Sequence, residues 1–116
     1  MIKKIKLQWF TDAGHGWLKI SRSDAEDLGI LDLISGYSYV SPSGKYLYLE
    51  EDQDAVTAFG AITKQGKEVS YKPFRNSQRY STIRHYSHYM PHDDYRALLS
   101  EAIASQKIVF NVRSAS

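Results

Sequence analysis

Apolar and polar side chains alternate over residues 2–10: Ile5, Leu7 and Trp9 fall on one side of an extended chain, Lys4, Lys6 and Gln8 on the other. A period of two is the mark of a half-buried strand. The run from Thr11 to Gly16 is rich in turn formers and Trp17 to Ile20 resumes the extended pattern, so a hairpin is the simplest connection. Ser21 or Ser23 stands where it can cap a short helix over Asp24–Leu28, with acidic residues in the first turn and Gly29 as the stop.

Residues 37–50 read as a second hairpin. Pairing Val40 with Lys45 across Ser41–Gly44 sets Tyr39 opposite Tyr46 and Tyr37 opposite Tyr48. The four tyrosines then share one face and Leu47 and Leu49 the other, an arrangement that depends on the register. The expectation is that a helix covers the tyrosine face; if the leucines are covered instead, the tyrosines form a semi-exposed platform.

Glu50 to Gly66 has a helical stripe of Val56, Phe59 and Ile62, and Glu50, Glu51 and Asp52 load its start in the sense that complements the helix dipole. Residues 67–72 form a strand. Pro73 to Met90 is the least regular stretch. A last helix is expected from Asp93 or Asp94 to about Gln106, and a last strand over 107–112. Two to three helices among about five to six strands make an α+β fold with an antiparallel or mixed sheet. A length of 116 residues fits one such domain, 1–116.

Composition narrows the chemistry. With no cysteine, disulfides, thiolate-held zinc, iron–sulfur clusters and thiol nucleophiles are excluded. No apolar run approaches the length of a membrane span, and the N-terminus has no signal-peptide pattern. The expected location is the cytoplasm. The net charge of +2 conceals a segregation. Residues 1–22 carry five cations against one acid, a net +4, and residues 23–57 carry eight acids against one lysine, −7. Residues 58–92 carry six cations against one acid, +5, while residues 93–116 balance. Such asymmetry points to a charged partner, unless the blocks face each other within the fold.

Aromatic residues follow the second basic block. The segment YKPFRNSQRYSTIRHYSHY interleaves cations with rings, the combination that single-stranded nucleic acid requires of a surface. Lys72, Arg75, Arg79, Tyr80, Arg84, Tyr86 and Tyr89 are the candidate contacts to nucleic acid or a nucleotide-like ligand. Tyr37, Tyr39, Tyr46 and Tyr48 are candidate anchors for a protein partner, since tyrosine is favoured at interfaces.

Signals for catalysis are weaker. His15, between two glycines, is a candidate acid–base group with a carboxylate from Glu50–Asp54 or with His85 or His88. His85, His88 and His92 have a spacing that a metal site can use, but Pro91 breaks the helix that would align them. The acids at 50–54 are consecutive and fan around a helix start, which fits capping better than metal binding. Esterase, zinc-protease and phosphate-loop motifs are missing, so no cofactor is expected.

The stretches DAGHGWLKI (12–20), LGI (28–30), ISGYSYV (34–40) and YLEEDQDA (48–55), with IRHYSHY (83–89) further on, resemble a family of small phage and mobile-element proteins with an HGWL…YSY…YLEED-x-DA pattern. The likeness is good over the first half of the chain and looser over the second. It implies no catalytic residue. It does imply a phage-type accessory role, either handling nucleic acid or inhibiting a host defence system through a protein partner.

Overall fold

A computed structural model of the protein describes residues 3–79 and 81–90. Tyr80, His92 and the helix and strand expected beyond residue 91 lie outside them. The strands are β1 (Ile5–Thr11), β2 (Gly16–Ser21), β3 (Tyr39–Val40), β4 (Tyr46–Glu50), β5 (Val69–Tyr71), β6 (Arg75–Asn76) and β7 (Ser87–His88); the helices are α1 (Arg22–Leu28) and α2 (Asp54–Gln65). The sheet runs β5-β1-β2-β4-β3-β7, with β6 pairing the far half of β1. Among the described residues only the pairings of β5 and β6 with β1 are parallel, so the sheet is mixed and the fold is α+β.

The alternation in β1 has the expected consequence. Ile5 and Leu7 are buried with Leu18 and Ile20 of β2 and Leu47 and Leu49 of β4, and Ala55, Ala58 and Ile62 of α2 and Ala25 and Leu28 of α1 cover them. Helix α1 begins as its sequence demands: the Ser21 hydroxyl accepts from the Asp24 N–H at 3.0 Å, and Gly29 closes it in the left-handed conformation at φ 77°. Ser21→Ala is expected to cost about 1 kcal/mol, read as a lower urea midpoint with unchanged slope.

Three expectations are corrected. The second hairpin is shifted by two residues: Tyr39 lies opposite Tyr48 and Val40 opposite Leu47. The turn is Pro42–Lys45, because Gly44 supplies the left-handed residue (φ 77°) and the Ser41 N–H donates to the Tyr46 carbonyl. Since a two-residue shift preserves facing, Tyr39, Tyr46 and Tyr48 still share a side, but Tyr37 precedes the strand. Second, the helices cover the leucines, not the tyrosines, because Leu47 and Leu49 lie on the side of Leu18 and Ile20. Third, α2 starts at Asp54 rather than Glu50. Glu50 is the last residue of β4, paired with Trp17, and its carboxylate accepts the N–H groups of Asp52 and Gln53, both at 3.0 Å.

Candidate functional site

The sheet face away from the helices carries a row of residues across five strands: Gln8, Lys19, Tyr48, Tyr39 and His88. The middle of this face is aromatic. Trp17, Tyr48 and Ile83 are buried together, with Phe10, Tyr39 and Tyr86 packed against them. Tyr48 meets Phe10 edge-on at 5.6 Å and Tyr86 at 5.3 Å. Its phenol is pushed up to about 12 by burial, reinforced by Tyr86, so it stays neutral. An open recess lies on either side of this aromatic centre.

Two buried carboxylates build the first recess. Asp12 sits in the β1–β2 turn, where one oxygen accepts the N–H groups of Gly14 and His15 at 3.0 and 3.1 Å. Arg84 grips it with a two-pronged fork, Nε to Oδ2 at 2.6 Å and Nη2 to Oδ1 at 2.8 Å. The Ser81 N–H and hydroxyl donate to Oδ2 as well, at 3.0 and 3.2 Å. The guanidinium and these N–H groups hold the Asp12 carboxyl far below the usual carboxylate range, against the opposing effect of burial. The Arg84 guanidinium lies 5.6 Å from the Trp17 ring, and its Nη2 is 3.5 Å from His15 Nδ1. A Cβ at Gly14 would stand 3.1 Å from that same Nη2, so the glycine admits the guanidinium.

Asp54 locks the opposite wall. It accepts from the Ser35 N–H at 3.0 Å, from the Ser35 hydroxyl at 2.7 Å, and from the hydroxyl of buried Ser38. Ser38 in turn accepts from the Glu50 N–H at 2.9 Å, and its carbonyl takes the Tyr89 N–H at 2.7 Å. His88 Nδ1 donates to the Gly36 carbonyl at 2.7 Å. Its ring lies 4.5 Å from that of Tyr39. Between these walls is a cleft of about 280 Å³, with His15, Trp17 and Arg84 on one side, Tyr37, Tyr39 and His88 on the other, and Glu50, Asp52 and Gln53 at its rim.

The second recess, of about 540 Å³, lies at the other end of the face. Lys3, Lys4, Lys6, Lys19 and Lys72 line it around Tyr46. Its single acid among the described residues, Asp24, is taken up by Lys3 at 3.3 Å. Lys19 Nζ stands 4.1 Å over the Tyr46 ring. The two basic blocks of the sequence meet here, because β5 returns alongside β1 and brings Lys72 next to the N-terminal lysines.

The residues singled out from sequence therefore divide. Lys72 and Tyr46 enter the lysine recess, and Tyr37, Tyr39, His15 and His88 enter the cleft. Arg75, on β6 beside β1, and Arg79 are exposed. Arg84 is bound to Asp12, and Tyr86 and Tyr48 pack on each other. Tyr89 is a core residue whose hydroxyl donates to the Leu31 carbonyl at 2.5 Å, and burial raises its pKa. His85 is exposed in a 3₁₀ turn, and among the described residues no group of three His, Asp or Glu side chains is arranged to hold a metal. The residues missed were Lys3, Lys4, Lys6 and Lys19 in the lysine recess and Trp17 in the cleft, although the period of two had already set Lys4 and Lys6 on one face. No helix among the described residues is long and apolar enough to cross a membrane. Compared with family models, curated proteins and solved structures, the chain matches none.

Proposed function

We propose that the protein is a phage-type accessory protein that binds single-stranded nucleic acid along the helix-free face of its sheet. The observation that carries this reading is the gathering of five lysines around one recess whose only acid among the described residues is already paired. Like charges so close repel one another unless an anion joins them, and a phosphate backbone offers a row of anions at matching intervals. Tyr46, 40% exposed on the recess, gives a base a ring to stack on. A single strand with unstacked bases uses such rings, whereas a duplex keeps its bases within the helix.

The test is titration of a labelled thymidine dodecamer at several salt concentrations. The logarithm of affinity is expected to fall linearly with the logarithm of salt, with a slope of roughly −3, corresponding to four or five phosphate contacts at about 0.7 each. Affinity that ignores salt, or absence of binding at 50 mM salt, overturns the reading.

A further inference from the structure

We infer that the bound strand passes over Tyr46 into a third recess, where Arg22 and Lys45 take two further phosphates. This inference rests on the nucleic-acid reading and extends its footprint to residues outside the lysine recess. The third recess, of about 460 Å³, lies between the start of α1 and the β3–β4 turn, with Arg22, Ser23, Ser43 and Lys45 in its lining. Ser21 and Tyr46 line both it and the lysine recess, so the two are continuous and the Tyr46 ring stands at their junction.

The junction is a product of the sheet. β2 and β4 pair antiparallel, and the last pair of their register is Ser21 with Tyr46. The Arg22 N–H donates to the Lys45 carbonyl at 2.8 Å, which carries the pairing one residue further and sets two cationic residues against each other. Like charges directly opposite across a strand pair are destabilising. Among the described residues no acid relieves them by an ion pair: Glu26, one helical turn on from Arg22, lines the same recess and pairs with neither. An anion lodged between Arg22 and Lys45 turns this repulsion into attraction. The backbone around them is fixed before any ligand arrives. The Ser21 hydroxyl caps α1 through the Asp24 N–H at 3.0 Å, the Ser43 hydroxyl accepts from the Lys45 N–H at 3.2 Å, and the Gly44 N–H donates to the Ser41 carbonyl at 2.9 Å. Binding there orders side chains only, which keeps its entropy cost small. A mononucleotide occupies one recess at a time. A strand can meet Lys19 on one side of the junction and Lys45 on the other, with a base on Tyr46 between them.

The experiment titrates a thymidine hexamer and a thymidine dodecamer at several salt concentrations, with the native chain and with Arg22→Gln/Lys45→Gln. The five lysines alone account for a slope of roughly −3, and two more contacts at about 0.7 each steepen it to about −4.5 for the dodecamer. The double variant is expected to return the dodecamer slope to about −3 and to weaken its binding about 25-fold at 0.1 M salt. Hexamer binding, whose five phosphates the lysines take up, is expected to stay within about twofold. Lys45→Gln alone, at an exposed position, is expected to weaken the dodecamer about fivefold with an unchanged urea midpoint, so the outcome does not depend on the fold tolerating a change at Arg22. A dodecamer slope near −3 that neither variant alters overturns the inference and leaves the lysine recess standing, and equal weakening of both oligomers does the same. Absence of dodecamer binding by the native chain overturns the inference together with the nucleic-acid reading.

Discussion

Asp12→Asn is expected to lower the free energy of unfolding by about 3 kcal/mol. Removing one member of a buried ion pair costs about 3–5 kcal/mol, because the remaining charge loses its partner without regaining water. The low end applies here, since the Asp12 side chain is fully buried while that of Arg84 is 25% exposed and can rehydrate in part. The amide retains one acceptor oxygen, so some of the donors at Gly14, His15 and Ser81 keep a partner, but the fork to Arg84 loses its charge. The urea midpoint should fall by roughly 2 M at a slope typical of a small domain. The pH dependence gives a second readout with a defined sign. In the unfolded chain an aspartate takes up its proton near pH 3.9. In the folded chain Asp12 is held far below that by Arg84 and the surrounding N–H groups. Its contribution is therefore complete above about pH 4 and is lost as pH falls, at up to about 1.4 kcal/mol per pH unit. Between pH 4 and pH 2 the stability of Asp12→Asn should fall less steeply than that of the native chain, by one proton's worth of slope. Equal slopes would show that Asp12 is not held ionised in the fold.

That ion pair also shows where reading a sequence stops. Strands β1, β2, β4 and β5 and helix α1 were legible because each is written in local terms: a period of two, a capping serine, a glycine stop. The second hairpin was legible in its facing but not in its register, since Ser41-Pro-Ser-Gly-Lys45 contains two overlapping four-residue turns. Only the left-handed Gly44, together with the seam between Tyr39 and Tyr48, selects between them. Glu50 was misread because an acid at a strand end and one at a helix start look alike in sequence; its pairing with Trp17 across β2 decides the matter. The face assignment failed for a related reason. Leucine and tyrosine both alternate, and which side the helices take depends on three strands at once. The sites are less legible still. Asp12 and Arg84 are 72 residues apart, and Lys72 reaches Lys6 only because β5 joins β1 in parallel. No local pattern encodes either meeting. What the sequence did contain was the raw material: a tyrosine-rich basic segment and an N-terminal run of lysines, which the parallel edge of the sheet brings together.

The lysine recess allows a sharper prediction than its existence. Lys6, Lys19 and Lys72 come from three strands or their edges, and Lys19 alone rests on an aromatic ring. Their replacement together by glutamine is expected to weaken binding of the thymidine dodecamer about 100-fold at 0.1 M salt. Each single-strand phosphate contact contributes about 0.7 to the slope of log affinity against log salt. Three lost contacts remove about 2 from that slope, and one decade below 1 M salt this amounts to two decades of affinity. The native chain and the variant should therefore converge near 1 M salt, where counterion release no longer distinguishes them. Stability should not follow affinity. The three ammonium groups repel one another in the free protein, so their loss should leave the urea midpoint unchanged or raise it slightly. A variant that binds as the native chain does at 0.1 M salt would place the nucleic acid elsewhere, with Arg75 and Arg79 on the outer edge as the next positions to change. Weakened binding with a lowered urea midpoint would mean instead that the lysines hold the fold through their stems along β1, β2 and the chain after β5. The combination expected here, a lost slope on an intact fold, is what a surface built to meet phosphates would show.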